Sequence, residues 1–214
     1  MPRAFTRLNL RVGIYAGWAC GVAIIVTMTP EGQTERLILR PLALADATQI
    51  QQIFPRWEIV RHLRNIVPWP YLPGSARQFL EEIALPQMAS GEAWHWALRL
   101  KTDPERIIGS VGLKSHDEDH RGFWLGLPWQ GQGLMSEACV WVNDFWFETL
   151  GFPVLRVSKA VENEASRRVS EKQGMRRVGT HEKDYVSGRL LSETWEITAA
   201  EWRAWKAAHL SGRG

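Results

Sequence analysis

The run Gln130-Gly131-Gln132-Gly133-Leu134-Met135 has the spacing in this chain that points most directly to chemistry. Glycines let a backbone bend sharply and come close to a ligand. The run stands just before the clearest helical pattern in the sequence. The first amides of a helix have no intrahelical partner, and with the helix dipole they form a site for an anion such as a diphosphate. The spacing is not that of a Walker loop, because no Gly-Lys-Ser/Thr follows. It also lacks the third glycine and the βαβ setting of a dinucleotide fingerprint. A simple strand-to-helix turn would use the same residues, so the surrounding elements decide between the two.

Those elements read as follows. Glu35 to Pro41 alternates as a strand. A helix runs from near Asp46 to Phe54, and a second lies near Glu58 to Asn65. The prolines of Val67-Pro68-Trp69-Pro70-Tyr71-Leu72-Pro73-Gly74 forbid helix and mark an ordered loop. Ser75 is placed to cap a third helix, which Pro86 kinks or ends. Ala93 to Leu100 and Arg106 to Leu113 read as a hairpin, and His120 to Leu127 as a strand running into the glycine loop. In the helix Ser136 to Leu150, Ala138, Trp141, Val142, Phe145, Trp146 and Leu150 share one face. Leu155 to Ala160 is a strand and Asn163 to Gln173 a helix closed by Gly174. Met175 to Tyr185 and Arg189 to Ile197 pair around Ser187-Gly188, and a last helix carries Trp202 and Trp205. The order predicts an α/β (α+β) protein, a mixed sheet flanked by helices.

The chain has 214 residues and a net charge of +3, without a basic run that would suggest nucleic acid. Cys20 and Cys139 form no metal spacing and no disulfide framework, so a reducing cytoplasm is the expected setting. Residues 1–30 stand apart from a domain over 31–214. Arg3, Arg7 and Arg11 precede a charge-free stretch from Val12 to Met28. That stretch is near the lower limit of a membrane span, about 17–25 residues. Three readings stay open: translation starting at Met28, a membrane anchor or interfacial helix, and a cleaved leader.

Several blocks together resemble the GNAT superfamily of acetyltransferases. Gln130-x-x-Gly133 matches its Gln/Arg-x-x-Gly-x-Gly/Ala signature, with Met135 where Gly or Ala is usual. Phe123-Trp124-Leu125, Trp129 to Gly133 and Glu137-Ala138 resemble the subgroup named for ribosomal-protein N-terminal acetyltransferases (RimJ/RimL type). So do Thr34 to Pro41, Pro68-Trp69-Pro70, and Asn163-x-x-Ser166 with Glu171-Lys172-x-Gly174-Met175. The similarity spans about residues 34–200. It implies a mostly antiparallel sheet of six to seven strands, splayed where acetyl-CoA binds as co-substrate, with no metal.

The resemblance also implies roles. Backbone near Leu125 and Leu127 would pair with the pantetheine arm. Gln130, Gly131, Gln132, Gly133, Leu134, Met135 and Ser136 would form the diphosphate loop, and Asn163 would bond the pantetheine amides. Many GNAT enzymes protonate the leaving thiolate with a Tyr seven residues after that Asn, where this chain has Ser170. In the subgroup the Ser three residues after it can serve, which is Ser166. His120 stands where the subgroup has Glu and is the candidate base, with His116, Asp117, Glu118 and Glu182 as weaker ones. Trp69, Tyr71 and Trp124 would shape the acceptor cleft. The implied activity is transfer of an acetyl group to a primary amine of a small molecule or a protein N-terminus, by a monomer or homodimer. The missing Tyr, the missing Glu and Met135 leave a non-catalytic acetyl-CoA-binding module or sensor as the alternative.

Overall fold

In a computed structural model of the chain, the described residues are 14–19 and 22–210, with side chains from 28 to 209. Ile14–Ala19 (β1) and Val22–Thr27 (β2) pair with each other as an antiparallel ladder. The stretch read as leader, anchor or upstream segment includes residues 12, 13, 20 and 21, which lie outside the described residues. No helix among the described residues is long and apolar enough to cross a membrane.

A five-stranded antiparallel sheet follows. Its strands are Gly32–Gln33 (β3), Leu37–Pro41 (β4), Ala93–Leu100 (β5), Asp103–Lys114 (β6) and Arg121–Leu125 (β7), in that spatial order. Between β4 and β5 run Ala47–Ile53 (α1), Trp57–Val60 (α2), Ser75–Phe79 (α3) and Leu85–Ser90 (α4). The second expected helix is thus one turn only. Gly74, not Ser75, takes the N-cap position of α3, at φ 90°. The helical backbone runs on from α3 through a π-turn, Leu80–Ala84, into α4, and the wider turn just ahead of Pro86 accommodates its missing N–H.

Leu134–Asp144 (α5) continues through a π-turn, Phe145–Thr149. Then come Val154–Ala160 (β8), Glu164–Lys172 (α6), Arg176–Tyr185 (β9), Gly188–Thr198 (β10) and Ala199–Leu210 (α7). β8, β10 and β9 form a second antiparallel ladder with β10 in the middle.

Two cores form on this frame. One gathers Trp94, Trp96, Ala138, Trp141, Val142, Phe145 and Trp146, so the helical face expected from the sequence is the one buried. The other packs Ile50, Phe54, Val60, Leu80 and Ala97 under α1 to α4.

His95, on β5, is 7% exposed, and Gly112 makes room for it: an added Cβ there would stand 2.3 Å from His95 Nδ1. Burial, with the Lys114 ammonium as a second cause, brings the imidazole pKa down to about 4. An unfolded chain takes up this proton near pH ~6.5. Stability is therefore complete above that pH and falls as pH drops toward 4, by roughly 3 kcal/mol. We expect His95→Gln to remove most of the difference between urea unfolding at pH 4.5 and at pH 7.5.

Candidate active site

Where the two ladders meet, their edges are only partly joined. Lys114 N donates to the His120 carbonyl, and Gly126 N to the Ile108 carbonyl. Alternation along an antiparallel ladder then turns the even-numbered β7 amides toward β6. The amides of Arg121, Phe123 and Leu125 are left on the outer edge. On β8, Val161 N bonds the Leu191 carbonyl, which leaves Arg156, Ser158 and Ala160 facing β7.

The edges touch at one end. His120 N donates to the Arg156 carbonyl at 2.8 Å, and Ser158 N to Asp119 Oδ1 at 2.8 Å. No ladder joins β7 to β8 beyond that point. The edges at Phe123, Leu125 and Ala160 therefore carry strand amides with no strand between them.

The glycine loop closes one end of this gap. β7 stops at Leu125, two residues earlier than expected, and Leu127 opens a 3₁₀ turn, Leu127–Trp129. Gly131 and Gly133 have φ of 75° and 78°, and Gly133 is the N-cap of α5. The amides of Leu134, Met135 and Ser136 precede the first intrahelical bond, Glu137 N to the Gly133 carbonyl at 3.1 Å. Leu134 and Met135 send their side chains into the core, 2% and 7% exposed. Only their backbone is offered at the loop, so Met135 is compatible with a ligand there. The Gln130 side chain braces the strand end, with Nε2 donating to the Leu125 carbonyl at 2.8 Å. Gln132 Nε2 bonds the Pro128 carbonyl at 2.9 Å.

A strap invisible in the motif holds the loop. Arg36 donates from Nη1 to the Gln132 carbonyl at 3.0 Å and from Nε to Glu137 Oε2 at 2.7 Å. Its backbone amide and the Thr34 hydroxyl bond Glu137 Oε1. Burial alone would raise the Glu137 pKa, but the Thr34 and Arg36 bonds hold it below the usual carboxylate value. A carboxylate in the first turn of α5 would repel a diphosphate. The Arg36 guanidinium offsets that charge and adds a cation beside the loop.

On the other side, Asn163 caps α6, its Oδ1 accepting from Ser166 N at 3.1 Å. That leaves its side-chain NH2 to donate outward. Ser166 is half-buried, and its hydroxyl has no hydrogen-bond partner among the described residues. His120 departs from its expected role. Its Nδ1 accepts from Arg156 N at 2.9 Å, and its ring stacks on Trp146 with centroids 4.9 Å apart. With that lone pair engaged, the neutral ring carries its proton on Nε2 and offers no free basic nitrogen. Burial, then Arg156, also lower its pKa.

Trp124 and Tyr71 both pack on Phe54, at centroid distances of 5.1 and 5.0 Å, forming an aromatic wall on the α1 side of β7. Trp69 lies further out, 43% exposed, against Trp57. Burial pushes the Tyr71 hydroxyl up to about 12, so it stays neutral.

Two buried cations escaped the sequence reading. Arg121 and Lys159 are each 4% exposed. The signal was present: in Leu155-x-Val157-x-Lys159 and Arg121-x-Phe123-x-Leu125 a charged residue interrupts an inward apolar stripe.

Known proteins resemble this chain in sequence and in fold. The family model described as an acetyltransferase (GNAT) domain matches residues 36–176. An N-acetyltransferase of Bacillus subtilis, YoaA, is 30% identical over 159 residues, which are 71% of this chain and 86% of that protein. Among solved structures, the RimL ribosomal L7/L12 α-N-protein acetyltransferase in complex with coenzyme A superposes with a TM-score of 0.66. It is 16% identical, over 80% of this chain and 97% of its own. The ribosomal-protein-S5-alanine acetyltransferase of Vibrio fischeri gives 0.65 at 19% identity, over 81% of this chain and 98% of its own. The chain belongs to the GNAT acetyltransferase family.

Proposed function

We propose that this protein moves the acetyl group of acetyl-CoA to a primary amine by direct attack, in the cytoplasm and without a metal. The observation that carries the reading is the unpaired β7 edge leading to the unpaired amides that open α5. The first suits the amide-bearing pantetheine arm, and the second suits a diphosphate. Gly131 and Gly133 to Ser136 would hold the phosphates, Arg36 would neutralise Glu137 beside them, and the Asn163 NH2 would bond the arm.

Acetyl-CoA supplies the activated acyl group. The Leu125 amide on the outer edge would donate to the thioester oxygen as charge builds there. Ser166, on the α6 face beside the gap, would donate to the departing sulfur. The acceptor amine would enter past Trp124 and Tyr71 and must arrive without its extra proton, which His120 is not free to take. Water would carry that proton away.

Two of the solved relatives are named for ribosomal proteins, one of them as an α-N-protein acetyltransferase. We therefore favour a peptide N-terminus over a small amine. The test is free-thiol release from acetyl-CoA by the full chain across peptide N-termini and small amines. Turnover with at least one amine is expected. Tight acetyl-CoA binding with no amine acetylated would favour a non-catalytic binding module.

A further inference from the structure

Gly122 lies within β7, between Arg121 and Phe123, whose amides face the gap. It is exposed, and its φ is not in the left-handed range. Its backbone therefore does not require glycine. A glycine inside a strand weakens it and marks a place where another group comes close. For its neighbours the fold itself supplies that group. An added Cβ would stand 2.5 Å from the Trp124 carbonyl oxygen at Gly109, 2.3 Å from His95 Nδ1 at Gly112, and 2.7 Å from the Trp129 ring at Gly126. Gly179, on β9, also has open space, but it pairs with Thr194 beside the register shift of its ladder, where irregular strands commonly take glycine. At Gly122 the ladder is regular, and an added Cβ would meet nothing within 4 Å. No group among the described residues fills the place of its missing side chain.

That open space is on the acceptor side of the gap. Gly122 pairs with Gly112 and Trp124 with Ser110, so Gly122 and Trp124 share one face of β7, about 7 Å apart. Phe123 and Leu125 point the other way, into the core against α5. That core closes one side of the gap to an incoming amine. An amine attacking a thioester beside the Leu125 amide must therefore come over Gly122 and Trp124. At one end of this slot Trp124 and Tyr71 rest on Phe54. At the other, Asp117 is held between Arg64 and Lys114, and Lys114, two residues beyond Gly112, is on the same sheet face. The slot is apolar at one end and charged at the other. An N-terminal residue carries matching groups on one carbon, a side chain and a peptide group.

We propose that Gly122 is a specificity-determining residue for the acceptor, its missing side chain leaving room for a substituent on the carbon that bears the amine. The substituent lies over Gly122 and against Trp124 and Tyr71, and the peptide group lies toward Lys114 and Arg64. The favoured acceptor is an N-terminal residue with an apolar side chain. An unbranched amine, such as a lysine side chain or an N-terminal glycine, leaves the slot partly empty. The inference rests on the reading that acetyl-CoA fills the gap and that the protein acetylates an amine.

The test measures kcat/KM with acetyl-CoA for the full chain and for Gly122→Ala and Gly122→Val. The acceptors are three peptides identical except for a first residue of Gly, Ala or Leu. Wild type should prefer the Leu peptide to the Gly peptide. A methyl group's worth of room in an apolar pocket discriminates by roughly tenfold or more. Gly122→Val should thus lower the Leu-to-Gly ratio at least about tenfold, with Gly122→Ala between it and wild type. Affinity for coenzyme A should not change, because the Gly122 amide faces β6. The urea midpoint should hold or rise, because valine suits a strand better than glycine does. An unchanged ratio, or an equal loss with every peptide, would overturn the inference alone. So would a lower urea midpoint for Gly122→Ala, since the fold itself would then need the glycine. So would a wild type that acetylates other amines but none of these peptides. A wild type that acetylates no amine would overturn the proposed function, and the inference with it.

Discussion

Replacing Gly133 by valine should cost the protein most of its affinity for coenzyme A. Gly133 caps α5 at φ 78°, a conformation that a β-branched residue adopts only under strain. Space is not the obstacle, since an added Cβ would come no closer than 3.6 Å to Arg36 Nη2. The dihedral is. A valine would draw the cap toward negative φ and swing the following amides away from their common focus. Strain and lost hydrogen bonds together amount to about 2–3 kcal/mol, or a weakening of roughly 30- to 150-fold. Calorimetric titration with coenzyme A reads this directly. Gly131→Ala is the milder control: φ is also positive, and its Cβ would meet nothing within 4 Å. Should Gly133→Val bind as wild type does, the start of α5 would not be the phosphate site.

A loss of comparable size, in stability, is expected for Asp46→Ala. Asp46 Oδ1 accepts from Arg99 Nη2 at 2.7 Å, with both side chains under 10% exposed. Its other oxygen holds the Ala43 amide at 2.9 Å. Arg99 also donates to the carbonyls of Pro104 and Glu105. This cluster pins the start of α1 to the β5–β6 hairpin and so sets the height of Phe54, on which Tyr71 and Trp124 rest. Removing the carboxylate leaves a buried guanidinium without its counter-charge, at a cost of roughly 3–5 kcal/mol. The urea midpoint should fall with an unchanged slope. The double variant Asp46→Leu, Arg99→Met should recover much of the loss, because it buries no charge.

What could be read in advance follows the range of the forces involved. The buried face of α5 and the strand of Leu155 and Val157 were legible because burial imposes a period on the sequence. The glycine loop was legible because positive φ is costly for other residues. Element ends were less so: β7 stops at Leu125 because the chain turns at Leu127-Pro128, and α2 is cut to one turn after Val60. His120 shows the limit most clearly. Its place in the chain suggested a base, yet the Arg156 amide, 36 positions away, takes its lone pair. Arg36 and Glu137 are joined across 101 positions, and Lys159 and Ser170 across two elements. Such pairs leave at most a polar residue out of pattern.

On the reading proposed above, the unpaired amides of the β7–β8 gap and of the start of α5 receive acetyl-CoA. A crystal structure of the full chain with acetyl-CoA tests it most directly. Diphosphate oxygens are expected hydrogen-bonded to amides between Gly131 and Ser136, with the pantetheine arm lying along the outer edge of β7. A diphosphate bound elsewhere, or an arm running outside the gap, would contradict it.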